Sequence, residues 1–202
     1  TYPGNVHDSV AFFDTYKELN DRFPGQIKNM SLDAGYKTPA ICREIIESGQ
    51  KAFMPYTRSK GKKGYLKKYE FTYDEQYDFY ICPNDKTLYY TTTNKEGYRE
   101  YKSETKDCQN CPFKSRCTKA ATKLIMRHVW EDYQEQVNEL RYTEEWKKIY
   151  PLRKQSIERV FADCKEKFSM RFTRITGLKK NQHQTLITFA CHNLKRMALW
   201  SW

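Results

Sequence analysis

The sequence predicts an α/β protein in which helices pack on a small sheet and a β-rich insertion interrupts them. Three observations carry this. The first 56 residues alternate helix, strand, helix and strand with turn residues between them. From Thr57 to about Arg141 the helical spacing gives way to tyrosine- and threonine-rich pieces with lysines and four cysteines. From about Thr143 apolar residues again recur at three- and four-residue spacing. The expected organisation is therefore residues 1–56 as the first part of a partial core, 57–142 as a basic, cysteine-rich insertion, and 143–202 as the closing helices of that core.

Each element has a local cause. Thr1-Tyr2-Pro3-Gly4 reads as the turn after a strand that would lie upstream, so the chain reads as a fragment. Asp8 or Ser9 can cap a first helix bearing Val10, Phe13, Tyr16 and Leu19, closed near Phe23-Pro24-Gly25. Gln26 to Leu32 alternates polar and apolar residues and runs into Asp33-Ala34-Gly35-Tyr36, a strand with a carboxylate at its C-terminal edge. Thr38 as N-cap and Pro39 at the first helical position open a second helix to about Glu47, stopped by Gly49. Ala52-Phe53-Met54-Pro55-Tyr56 reads as a short strand, which makes a βαβ unit whose functional residues should gather at the strands' C-terminal ends. Near the other end, Ile157, Val160, Phe161, Cys164 and Phe168 form one apolar helical stripe, with Glu158 and Lys165 seven residues apart beside it. A last helix, about Gln182 to Leu199, carries Leu186, Ile187, Phe189, Ala190, Leu194 and Met197 and is apolar enough to pack on the sheet.

The chain of 202 residues carries a net charge of +11 and is 15% aromatic. That balance suits a folded protein whose surface attracts polyanions such as nucleic acid. No run approaches the roughly 18 apolar residues of a membrane span, and no secretory signal opens the chain, so a soluble, non-exported protein without a membrane partner is expected. Arg58, Lys60, Lys62, Lys63, Lys67 and Lys68 make a basic loop. Tyr65 and Tyr69 among its lysines could stack on bases or be ordinary strand surface.

Cys82, Cys108, Cys111 and Cys117 all fall in the inserted segment. A C-x2-C pair with two further thiols fits a structural zinc ion, and the local sequence is thinly apolar for its length. The other reading is four buried cysteines without a common role. Cys42, Cys164 and Cys191 lie on apolar helical faces, where core packing is expected.

Leu32-Asp33-Ala34-Gly35-Tyr36-Lys37, the Cys-x2-Cys-Pro insertion, and Ser156 to Lys165 together resemble the C-terminal portion of DDE transposases of bacterial insertion sequences. The resemblance covers nearly the whole chain. It implies a partial RNase H-like core, with Asp33 and Glu158 as the second and third catalytic carboxylates and as ligands of Mg2+ or Mn2+. It also implies that Tyr150, Arg153 or Lys154, Lys165 and Arg171 position DNA phosphates. Two divalent ions about 3.5–4 Å apart would then serve cleavage and strand transfer at transposon ends. The first aspartate of such enzymes belongs to an earlier strand. Asp8 is available, but its place at a helix start favours N-capping, so these residues alone should not cleave DNA. The implied partners are double-stranded DNA, as transposon ends and target, and further copies of the chain on that DNA. The implied setting is the bacterial cytoplasm, at the nucleoid.

Against these stand plainer readings. An aspartate after a strand is commonly a turn former, and Glu-Arg on a helix is commonly a solvated face. A non-catalytic zinc-containing DNA-binding module and a two-metal nuclease are the alternatives at the level of function.

Overall fold

The computed structural model describes residues 2–3, 5–58, 61–173 and 175–200. Thr1 and Gly4 of the expected opening turn, and Lys60 of the basic loop, lie outside the described residues. The fold is mixed α/β, and it divides into two compact units, Thr1–Pro55 with Gln136–Trp202 and Tyr56–Glu135.

In the first unit, helix α1 spans Asp8–Arg22 and is followed by strand β1, Asn29–Ser31. Helix α2, Pro39–Glu47, leads to strand β2, Lys51–Phe53, and the two strands pair in parallel as the βαβ reading requires, with Met30 opposite Ala52. Both are shorter than expected. Pro55 has no N–H to offer a ladder, and pairing outside the strand proper is limited to single bonds such as Leu32 N–H to the Phe53 carbonyl at 3.0 Å. Thr38 caps α2 as anticipated, its hydroxyl accepting from the Ile41 N–H at 3.3 Å. Ile41, Cys42, Ile45, Ala52 and Phe53 are fully buried between α2 and the strand pair, and Phe12 and Tyr16 of α1 stack at 5.1 Å beside Tyr36.

The cap of α1 is not the expected one. His7 takes the N-cap position and its Nδ1 accepts from the Ser9 N–H, leaving Asp8 as the first residue of the helix with its carboxylate uncommitted to capping.

The closing helices are also more broken than the sequence suggests. From Thr143, where the helical spacing returns, to the end of the stripe that begins at Ile157, the chain forms α6 (Glu144–Ile149), α7 (Leu152–Gln155) and α8 (Ile157–Lys167). Pro151 interrupts the ladder first, and Ser156, at φ −104° and ψ −93°, breaks it again just before Glu158. The last helix, α9, runs over Leu178–Trp200, but its apolar residues do not pack on a sheet. Leu186, Ile187 and Leu194 are each more than 60% exposed, and Thr188 and His192 are the residues it buries. Among the described residues this unit has only two strands, which cannot cover a helix of that length. Cys42 and Cys164 are buried as expected, whereas Cys191 is exposed on the open face of α9.

The second unit is a five-stranded antiparallel meander of β3 (Thr72–Asp74), β4 (Phe79–Ile81), β5 (Thr87–Thr93), β6 (Tyr98–Ser103) and β7 (Leu124–His128). The short helices α3 (Thr105–Gln109) and α4 (Lys114–Cys117) join β6 to β7, and α5 (Glu131–Leu140) begins in this unit and ends in the first. Leu66, Phe71, Tyr80, Leu88, Tyr101 and Ile125 make one core, on which Cys82, Phe113 and Cys117 pack. Arg127 lies in the same unit, 4% exposed, with two bonds to Glu135, one to Asp132 and its guanidinium 4.1 Å from the Tyr73 ring centre.

Candidate active site

The end of β1 sets the first functional side chain. Asp33 caps a single 3-10 turn, Ala34–Tyr36, accepting from the Ala34 N–H, and this holds the carboxylate at the C-terminal edge of the strand. Glu158 comes from the first turn of α8, where a carboxylate is favoured by the helix dipole. Though 125 positions of chain separate them, both line one cleft of about 880 Å³, together with Asp8, Arg153, Lys165 and Arg171. The structure thus brings Asp33, Glu158, Arg153, Lys165 and Arg171 of the expected site residues to one cleft, and leaves Tyr150, Lys154 and the four cysteines outside it.

Their electrostatics are those of a solvated, mixed-charge cleft. Arg153 approaches Glu158 at 4.0 Å and reaches the Tyr150 hydroxyl at 3.4 Å, while its buried Nε has no hydrogen-bond partner. Tyr150 stacks on Trp146 at 4.6 Å and does not line the cleft, which it meets only through its contact with Arg153. Of the two basic residues left open by the sequence, Arg153 faces the cleft and the exposed Lys154 does not. Arg171 lines the cleft while paired with Glu166. Asp8, Asp33 and Tyr36 line the same cleft, and burial, then the charges of Asp8 and Asp33, push the Tyr36 phenol above its ordinary pKa.

Asp8 is the residue sequence reasoning set aside. Its Oδ2 lies 3.9 Å from where a side chain on Gly35 would begin. The signal was the preceding histidine: an imidazole nitrogen can accept the capping bond, which frees the next residue.

Divalent ions fit the donor set of this cleft. Magnesium takes one or two carboxylates with water and phosphate oxygens, and Asp33 and Glu158 supply hard, exposed oxygen donors beside cations that suit phosphate. The expected zinc quartet is not assembled. Among the described residues, no group of three or more His, Cys, Asp or Glu side chains is placed to hold a metal ion. Cys82 and Cys117 instead pack on the core and Cys108 meets the Ser103 hydroxyl at 3.1 Å. Burial first, and then Cys108, Cys111 and Cys82, push the Cys117 thiol up, with Lys123 opposing.

The fold is mixed α/β, and carboxylates and cations line one of its clefts. Residues 81–198, more than half of the chain, match the family model described as a transposase DDE domain, and the chain belongs to that family. The matched span includes Glu158, Lys165, Arg171 and the four clustered cysteines, and Asp33 precedes it. No curated protein and no solved structure matches the chain. No helix among the described residues is long and apolar enough to cross a membrane.

Proposed function

We propose that the chain forms the carboxylate part of an RNase H-like transposase active site, with Asp33 and Glu158 as the second and third catalytic carboxylates. The observation that carries this reading is the single cleft shared by the end of β1 and the first turn of α8. When bound, divalent ions supply activation of water or a 3′-hydroxyl and stabilisation of the leaving oxygen in an in-line displacement. The protein's own part is positional. Asp33 and Glu158 hold oxygen donors at fixed element ends, and Arg153, Lys165 and Arg171 draw the phosphodiester into register without reading sequence. The substrate is double-stranded DNA at transposon ends and targets, in an assembly of several copies at the bacterial nucleoid. Turnover requires the family's first aspartate in addition to these two.

Manganese titration of the chain by calorimetry and electron paramagnetic resonance tests the assignment. Asp33→Asn and Glu158→Gln should each lower manganese affinity at least tenfold, since each removes a charged oxygen ligand, with melting temperature unchanged. Wild-type binding that neither substitution alters would sink it and leave a non-catalytic DNA-binding module. In a protein that also carries the first aspartate, strand joining separates a transposase from a nuclease that only hydrolyses.

Zinc at Cys82, Cys108, Cys111 and Cys117 is a second reading, supported by the C-x2-C spacing and by the packing of Cys82 and Cys117 on one core. Zinc content measured on protein purified without chelator decides it. One equivalent that is released on thiol modification supports it, and metal-free protein with an unchanged melt overturns it.

A further inference from the structure

A second cleft adjoins the carboxylate one in the same unit and is walled by the C-terminal end of α8, the following turn and the start of α9. It measures about 910 Å³ and shares Lys165, Glu166 and Arg171 with its neighbour, so the two form a continuous trough. That volume is within the range of sites for a nucleotide-sized ligand.

Three features of this trough point to one kind of occupant. The first is Phe172, 75% exposed on the cleft wall and without a ring partner among the described residues. The turn before it holds it there: Ser169 adopts a left-handed backbone, φ 57°, and the Met170 N–H reaches back to the Cys164 carbonyl at 3.1 Å. Phe168 nearby is already engaged, edge-on to His192 and under Lys195. The second is charge. Lys165, Arg171 and Lys180 face the cleft against the single carboxylate of Glu166, with His183 and Gln184 adding hydrogen-bonding edges. The third is the opening of α9, which has no acidic residue in its first turn and has Lys179 and Lys180 there instead. Lysines at that end oppose the helix dipole, an arrangement that an incoming anion relieves.

An exposed aromatic face ringed by cations is the way proteins hold single-stranded nucleic acid, with the base on the ring and phosphates on the lysines. Resting on the carboxylate reading above, we infer that this cleft receives an unstacked nucleotide of the DNA strand next to the phosphate undergoing reaction. Phe172 carries the base, and Lys180 and Lys165 hold its flanking phosphates. The trough accordingly takes a frayed or single-stranded end, while an intact duplex keeps its bases stacked and leaves Phe172 unused.

The test compares fluorescein-labelled oligothymidylate of about twelve nucleotides, within the site sizes of such clefts, with an abasic strand of equal length. Binding of both is followed by fluorescence anisotropy with the full chain. Wild-type protein should prefer the base-bearing strand by about tenfold, the scale of one base-aromatic stack. Phe172→Ala and Phe172→Leu should both erase that preference, and Phe172→Tyr should keep it. Lys180→Gln should weaken both strands alike. Because Phe172 is solvent-exposed, circular dichroism melts of these variants should match wild type. Equal wild-type affinity for the two strands, or a preference that survives Phe172→Leu, overturns the inference. Manganese binding measured on the same variants separates the two readings. Base preference that follows Phe172 in a chain that binds no manganese leaves the nucleotide cleft standing and sinks the carboxylate assignment. Manganese binding lost with Asp33→Asn, alongside equal strand affinities, does the reverse.

Discussion

Two arginines, one in each unit, show how differently the two parts of the molecule use charge. Arg127, on β7, is 4% exposed, shares bonds with Glu135 and Asp132 and lies over Tyr73. Burial alone would lower its pKa, but the Glu135 and Tyr80 hydrogen bonds and charges outweigh burial and raise it. Arg153, on α7, is also largely covered, yet its nearest carboxylate is 4.0 Å away and its buried Nε has no partner. A saturated cation fixes a fold. An under-satisfied one has donors left for a ligand, and buried donors without partners call for such an account.

The largest expected effect breaks this comparison directly. Arg127→Ala strands Glu135 and Asp132 and empties the space over Tyr73. Removing one partner of a buried ion pair typically costs about 3–5 kcal/mol, and the half-exposed carboxylates here can rehydrate, so a loss of about 2 kcal/mol is expected. Denaturant melts should show it, with manganese affinity unaltered. Arg153→Gln should do the opposite: little change in the melt, and weaker duplex DNA binding with a salt slope shallower by about one, the signature of one lost phosphate contact. If Arg153→Gln unfolds the protein as readily as Arg127→Ala, the distinction fails.

A smaller effect sharpens the same contrast within the sheet. Asp78, in the left-handed region at φ 51°, accepts from Tyr101 at 2.6 Å and Tyr73 at 2.8 Å, with Arg99 at 3.7 Å. Burial acts to raise its pKa, but the two phenols and the charges of Arg99 and Arg127 prevail and lower it from 3.8. A depressed carboxylate contributes stability that is present in full above its unfolded value. That contribution is lost as pH falls through the folded one. Asp78→Asn keeps the backbone preference and removes the charge, so it should cost about 1 kcal/mol near neutrality, given a side chain 43% exposed. It should also flatten the acid limb of the stability profile below pH 4, a limb that chemical denaturation at stepped pH would trace.

How far the sequence could be read follows from the range of the forces involved. The βαβ unit was legible because its signals are local: Thr38 and Pro39 cap and open α2, Gly49 turns with φ 73°, and Asp33 follows a strand. The mixed α/β class and the transposase DDE family were also legible, the family from motifs in combination. The breaks at Pro151 and Ser156 were not anticipated, because apolar residues recur on both sides of them and periodicity does not record a lost hydrogen bond. The open face of α9 was misread for a related reason. An apolar face shows in the sequence, while the number of strands available to cover it does not. Phe172 passed unnoticed since one aromatic in a basic stretch acquires meaning only when the chain turns it outward beside Lys180 and Arg171.

Asp8 gives the smallest expected effect and separates two readings that the sequence left side by side. If Asp8 were the N-cap of α1, Asp8→Ala should cost about 1 kcal/mol of stability and leave metal affinity alone. The structure gives the cap to His7, whose Nδ1 accepts from Ser9 at 3.2 Å, and turns Asp8 toward the cleft of Asp33 and Glu158. Only the interaction of Asp8 with the helix dipole remains for stability, a few tenths of a kcal/mol at an exposed first turn. Its carboxylate still lines the cleft with Asp33 and Glu158. Asp8→Ala should therefore leave the melt nearly unchanged. It should weaken manganese binding by a few-fold, roughly the 1 kcal/mol of a carboxylate acting through solvent, and by less than Asp33→Asn does. A loss as large as that of Asp33→Asn would make Asp8 a direct ligand, and His7→Ala, which removes the cap and keeps the carboxylate, should show the converse pattern.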